Sequence, residues 1–175
     1  IRGVAVTVDH GLQDGSAEIA ATAAATAESL GLSARVVRAV VRAGGGPEAA
    51  ARDARYEALD ALAREVGAAA ILVGHTLDDQ AETVLLGLAR GSGATSLQGM
   101  APVAEREDGC RILRPLLEIR RATTHAACAA QGLDPWLDPH NADPRYTRVR
   151  VRETVLPTLE RELGPGVAEA LARTA

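Results

Sequence analysis

What most constrains this chain is the alternation of short apolar or β-branched runs with Ala-rich segments of helical length. Arg2 to Asp9 (RGVAVTVD), Ser33 to Val41 and Ala68 to Gly74 (AAAILVG) read as strands, the last wholly apolar. Residues 15 to 31 read as a helix with Ser16 as N-cap and Gly31 as its stop. A second helix opens at the Gly-Gly-Gly-Pro-Glu run of 44 to 48, with Pro47 in its first turn, and runs to about Val66. Leu77 to Arg90 is helical, Gly91 to Gly99 a loop, and Arg111 to Leu117 (RILRPLL) a strand interrupted by Pro115. Helices follow at about 118 to 131, 147 to 162 and 166 to 174. Buried strands alternating with helices imply parallel strands covered on both faces, so the expected fold is α/β, a doubly wound, mostly parallel sheet. Ligands of such sheets collect where strand carboxyl ends lead into helices, here Asp9 to Gly15, Val41 to Arg55 and Gly74 to Glu82.

Composition removes several function classes. The 175 residues suit one core, which 36 Ala and no Phe require to be filled by Ala, Val, Leu and Ile. All 19 basic residues are Arg, and without Lys there is neither a Walker-type loop nor Schiff-base chemistry. Cys110 and Cys128 stand apart with no C-x-x-C, which excludes a zinc ribbon or dithiol pair and fits a reducing compartment. No apolar run approaches the roughly 20 residues of a spanning helix, and nothing resembles a signal peptide, so no membrane association and a cytoplasmic location are expected. Trp136, the only Trp, is expected to pack beneath its Asp-Pro-rich loop, because base stacking calls for aromatic neighbours that this chain scarcely has.

Charge is uneven. Residues 111 to 152 hold 8 Arg against 4 acids, while the net charge of the whole chain is -4. The block ends in Arg145, Arg148, Arg150 and Arg152, either a polyanion contact or a solvated helix face. In the helix from Pro47, positions 52, 55, 59, 62 and 66 share a stripe that is apolar at Leu59, Leu62 and Val66 but carries Arg52 and Arg55 towards the ligand edge. Those arginines either meet an anion or snorkel into water. After the third strand comes His75-Thr76-Leu77-Asp78-Asp79-Gln80-Ala81-Glu82-Thr83. Asp79 and Glu82, three apart, project together and can hold an ammonium group or a metal; equally, Thr76 with Asp79 has the pattern of a capping box. Arg90-Gly91-Ser92-Gly93 reads as a helix stop rather than an anion nest, and His10 as a structural or ligand-facing side chain.

Taken in order, Val8-Asp9-His10-Gly11-Leu12, EAAARDARY at 48 to 56, GHTLDDQAET at 74 to 83, RGSGATSLQGM at 90 to 100, Arg114-Pro115-Leu116-Leu117 and NADPRYTRVRVR at 141 to 152 resemble the tRNA(Ile)-lysidine synthetase family of PP-loop ATP pyrophosphatases. The resemblance covers nearly the whole chain. It implies a Rossmann-like sheet of the adenine nucleotide alpha hydrolase type and an ATP-dependent ligase. That ligase joins L-lysine to the wobble cytidine of tRNA(Ile) with a CAU anticodon through an adenylated tRNA. By position, the resemblance makes Asp79 and Glu82 the lysine and catalytic acids and Arg55 a phosphate-stabilising catalytic residue. It places His10, Gly74 and His75 at the nucleotide, and Arg148, with Arg145 and Arg150, on phosphate or tRNA. ATP with Mg2+ is the implied cofactor set, although no complete metal site is visible, and a homodimer is compatible with it.

The family's Ser-Gly-Gly-x-Asp-Ser phosphate loop does not occur in these 175 residues. The resemblance therefore implies an internal fragment, inactive by itself, with 1 to 152 as the catalytic domain without its first strand and phosphate loop. Residues 153 to 175 then form a helical segment leading towards an absent C-terminal region. A family strand order of 3-2-1-4-5 would leave a gap between Arg2 to Asp9 and Ala68 to Gly74. Glu82→Ala is expected to spare the fold at the roughly 1 kcal/mol of an exposed cap. The rival readings are another PP-loop tRNA-modifying enzyme, such as a thiolation enzyme, and a non-catalytic nucleotide-binding module.

Overall fold

The computed structural model describes residues 2–11, 13–40, 47–91, 93–106 and 109–175, in two compact units, Ile1–Ile71 and Leu72–Ala175. In the first unit β1 (Val4–Asp9) pairs in parallel with β2 (Ser33–Arg38), from Val4 opposite Ser33 to Asp9 opposite Arg38. Helix α1 (Ser16–Ser29) packs on both strands and α2 (Pro47–Val66) packs on β1. Ala20 of α1 and Ala54, Leu62 and Ala63 of α2 are buried, the small side chains allowing close approach. The N-cap of α1 is Gly15 in the left-handed region, with no side-chain cap, and Ser16 is the first helical residue, correcting the expected Ser16 cap. Gly31 (φ 84) ends the helix as expected: Leu32 N–H donates to the Ala27 carbonyl at 3.1 Å and Gly31 N–H to Glu28 at 2.9 Å, a closure that favours glycine. The Gly44 to Gly46 opening expected for α2 lies outside the described residues.

The division between the units falls within β3 (Ala70–Leu72). The three-stranded sheet to which β3 belongs runs β3-β5-β4, with β4 (Val103–Glu105) antiparallel to β5 (Arg111–Leu113) from Val103 opposite Leu113 to Glu105 opposite Arg111. The described strands thus form two sheets, β1-β2 and β3-β5-β4. Two details differ from expectation. β4 was not foreseen, three residues being too short to show a period, and Leu72 is 66% exposed on a strand read as buried throughout.

Helix α3 (Leu77–Ala89) dominates the second unit, packing along α7 (Val167–Thr174). Its Ala81 joins Val151, Leu156 and Ala168 in a core flanked by Leu77, Leu85, Leu86 and Leu171. The Leu97-Gln98-Gly99-Met100 motif is tied to α3 by Gln80, whose Nε2 donates to the Met100 carbonyl at 2.9 Å while Met100 N–H donates to its Oε1 at 2.8 Å. The expected loop 91–99 contains a 3-10 turn, Ala94–Leu97, seated against α3.

After α4 (Arg121–Ala130), the expected helix 147–162 is α5 (Thr147–Arg150), one π turn (Val151–Val155) and α6 (Leu156–Leu163). Pro157 explains the π turn: it has no N–H for the carbonyl four residues back, and a wider turn relieves its ring. Trp136 is 50% and Leu137 74% exposed, which corrects the reading of a packed indole. The connection is held instead by Asp138, which accepts from His140 N–H at 2.9 Å to cap the turn Pro139–Ala142, and by the His140 ring edge on Tyr146. No helix among the described residues is long and apolar enough to cross a membrane.

A Cβ on Gly87 would run into the Ser96 carbonyl, a backbone atom that can yield only if the 3-10 turn moves. Gly87→Ala should therefore destabilise the chain by about 1–3 kcal/mol, the usual range for overpacking, measured as a lower urea midpoint at unchanged slope.

Candidate functional site: a carboxylate pair in an arginine cage

The amino end of α3 carries both features that its sequence left open. Thr76 is the N-cap, accepting from Asp79 N–H, while Asp79 Oδ2 accepts from Thr76 N–H at 2.8 Å and from its hydroxyl at 2.7 Å, completing the capping box. The cap uses one carboxylate oxygen. The other, Oδ1, accepts from Arg121 Nη2 at 2.9 Å, so capping and cation binding coexist on one side chain. Glu82, the next residue on this face, is 0% exposed. It accepts from Arg152 Nε at 2.7 Å and Nη2 at 3.1 Å, and from Arg121 Nη2 at 3.1 Å, and lies 3.3 Å from Arg148 Nε. Arg148 Nη2 also donates to Thr83 Oγ1 at 2.7 Å.

The cage draws on three helical segments. Arg148 of α5 and Arg152 of the π turn are four apart, hence on one face, and Arg121 is the first residue of α4. Arg121 is fixed through its backbone N–H, which donates to Asp78 Oδ2 at 2.7 Å. Arg120 lies 3.2 Å from Asp78 Oδ1 and donates to Glu169 Oε1 at 2.9 Å, linking the start of α4 to α7. Beside the cage lies a cavity of about 130 Å³, lined by Glu82, Arg121, Arg152, Asp78, Arg120 and Glu160 above Leu156 and Pro157.

Burial raises the Asp79 carboxyl, but the Thr76 hydrogen bonds and the charges of Arg121 and Arg152 outweigh it and hold the group below its ordinary 3.8. Burial opposes the charge of Arg152 too, and Glu82 and Asp79 overcome it, leaving that guanidinium still more firmly protonated than usual.

In the first unit, His10 and Arg55 act on one another. Burial, then the Arg55 charge, lowers the His10 pKa below 6.5, so the imidazole is neutral at pH 7. Its Nδ1 is buried with no hydrogen-bond partner among the described residues. Arg55 and Arg52 are exposed, Arg52 resting 5.2 Å from the centre of the Tyr56 ring, so this half of the stripe does reach water. Gly74 is exposed and His75 half-buried, just ahead of the Thr76 cap in the second unit.

The four clustered arginines divide. Arg148 and Arg152 turn inward onto Glu82. Arg145 remains 82% exposed, chelating Asp143 Oδ2 at 2.8 and 2.6 Å. Arg150 donates to the carbonyls of Pro144 at 2.7 Å and Arg145 at 3.0 Å. Arg148, expected on phosphate or tRNA, lies here between Glu82 and Thr83. Sequence reasoning passed over Arg121 and undervalued Arg152. The signal for Arg152 was its four-residue spacing from Arg148; Arg121 had none within its own helix. Among the described residues no three His, Cys, Asp or Glu side chains gather as a metal site.

A family model described as the PP-loop domain matches residues 1–159. The chain belongs to the PP-loop family. It is 66% identical over 175 residues to the tRNA(Ile)-lysidine synthase of Leifsonia xyli subsp. xyli, covering 99% of this chain and 51% of that protein. It is 60% identical over 172 residues to the enzyme of that name from Salinispora tropica (97% and 51%), and 58% over 176 residues to that of Thermobifida fusca (100% and 53%). This PP-loop chain spans about half the length of these curated relatives. In fold it is similar to the U34-tRNA thiolase NcsA from Methanococcus maripaludis, solved with its [4Fe-4S] cluster, at a TM-score of 0.78 and 17% identity over 98% of this chain and 60% of that one.

Because Glu82 is wholly buried, the expectation of a mild cap loss for Glu82→Ala does not hold. The substitution leaves three partly buried guanidiniums with Asp79 as their remaining counter-charge in the cage and should cost about 3–5 kcal/mol, read from chemical denaturation. Asp79 supplies a pH test. Its folded pKa is depressed, so its stabilisation is complete above about pH 5 and is lost as the pH falls below 3.8 through the folded value. Asp79→Asn should therefore be less stable than the parent at neutral pH and flatten the loss of stability between pH 5 and 3 in urea titrations.

Proposed function

We propose that this chain carries the amine-binding centre of an ATP-dependent ligase that attaches L-lysine to the wobble cytidine of tRNA(Ile) with a CAU anticodon. The observation that carries this reading is the convergence of Asp79 Oδ1 and Glu82 Oε1 on one donor nitrogen, at 2.9 and 3.1 Å, beside a cavity. Two carboxylate oxygens meeting at one point are the receptor that a primary ammonium requires. The names of the relatives and the PP-loop match supply the reaction class.

In the reaction so proposed, ATP transfers AMP to O2 of the cytosine and releases diphosphate. The lysine side-chain amine then attacks the adjoining carbon and expels AMP. An ammonium with a pKa near 10.4 leaves only about one molecule in a few thousand with a free lone pair at pH 7. Asp79 and Glu82 together hold the cation and accept its proton as the carbon–nitrogen bond forms. Arg55 offsets phosphate charge during adenylation, and nucleotide binding is the role assigned to His10 in the first unit and to Gly74 and His75 in the second. Arg145, exposed in the turn before α5, and Arg150, exposed at the end of α5, meet the tRNA backbone, while Arg148 serves the acids. Magnesium would accompany ATP, but no step of this scheme is routed through it. The setting is the cytoplasm.

The test is incorporation of labelled lysine into a tRNA(Ile) transcript by the full-length protein. Glu82→Gln should lower turnover by about 100-fold or more, while Arg145→Ala should raise the KM for tRNA and leave that for lysine unchanged. Parent-like incorporation by Glu82→Gln would refute the assignment.

A further inference from the structure

Three guanidiniums, Arg121, Arg148 and Arg152, surround two carboxylates, Asp79 and Glu82. An ammonium added to this arrangement would find the oxygens it needs already engaged. The three arginines are not held alike. Arg152 grips Glu82 with two nitrogens, and Arg148 is anchored by its bond to Thr83. Arg121 reaches both carboxylates through a single terminal nitrogen, Nη2, which takes the place that a primary ammonium would take. It also lines the cavity of about 130 Å³, so the guanidinium has room to move aside while its backbone stays pinned to Asp78.

We propose that Arg121 is a resident stand-in for the substrate's ammonium group: its guanidinium closes the empty site and must be displaced before an amine can bind. This rests on the reading of Asp79 and Glu82 as an amine receptor. Arg121 is thus a gating and specificity-determining residue. A neutral side chain of the same length gains nothing by displacing it, because it offers Asp79 Oδ1 and Glu82 Oε1 no donor in place of Nη2. An ammonium replaces both hydrogen bonds, so the exchange admits lysine and refuses its uncharged isosteres. Removing Arg121 leaves two guanidiniums for two carboxylates, a balanced cluster, and Arg121→Ala is expected to fold.

The test compares the parent, Arg121→Ala and Arg121→Lys by calorimetry with L-lysine and norleucine, and by thermal unfolding in methylammonium chloride against sodium chloride at equal ionic strength. Arg121→Ala should bind lysine about tenfold more tightly than the parent, since no fraction of the protein is held closed. Its unfolding temperature should rise in methylammonium, whereas those of the parent and Arg121→Lys should not, and norleucine should bind none of the three. Weaker lysine binding by Arg121→Ala would make Arg121 a lysine ligand and overturn the inference while leaving the function standing. If methylammonium stabilises Arg121→Ala but lysine binds no variant, the stand-in survives and the lysine reading falls. An Arg121→Ala protein that fails to fold in sodium chloride but folds in methylammonium supports the inference; one that folds in neither overturns it.

Discussion

The second unit is arranged around the burial of one charge. Glu82 has no exposed surface, and a carboxylate in that position is tolerable only if cations come to it. They come from α4, α5 and the π turn after α5, so a single side chain on α3 specifies how separate stretches of chain converge. The apolar contacts of Ala81 with Val151, Leu156 and Ala168 supply attraction without much direction. The Glu82 bonds supply direction. This division of labour suits a chain whose core is built from small aliphatic side chains, which pack in many ways, and which has few aromatics to define a unique arrangement.

The same economy explains why the capping and catalytic readings of Asp79 were not true alternatives. A carboxylate has two oxygens, and α3 spends one on its own first turn and directs the other to Arg121. Capping fixes the rotamer, and a fixed rotamer aims the free oxygen. The cap is thus the means by which the oxygen facing Arg121 is positioned, with the box geometry holding Asp79 as a neighbour of Glu82.

Local patterns were legible in the sequence wherever one residue type has one physical use. Gly31 stopped α1, Pro47 began α2 and the 3-4 spacing of Leu77, Ala81 and Val84 placed the core face of α3. What was not legible depends on pairing across the chain. A stretch with Arg148 and Arg152 looks the same whether it faces RNA or a buried acid; the distinction lies in Glu82, some seventy residues earlier. Arg121 was passed over for the same reason, being an unremarkable first residue of a helix until its partners are known. The exposed Trp136 shows the opposite error, in which the scarcity of aromatic neighbours for base stacking was read as packing of the indole beneath its loop. The π turn was unforeseen in form although Pro157 contained its cause.

If an amine is what the carboxylate pair receives, the chemistry of the stand-in is as consequential as its charge. A lysine at position 121 could supply the same positive nitrogen, but it would also place a primary amine beside whatever electrophile the site is built to present. Such a side chain would compete with the substrate in the reaction as well as in binding. A guanidinium shares its lone pairs across a delocalised group that stays protonated at any accessible pH, so it can occupy an ammonium site without acting as a nucleophile there. Arginine at this position therefore separates two properties that lysine joins, and an amine-using ligase needs them kept apart wherever its own side chains hold the substrate's place.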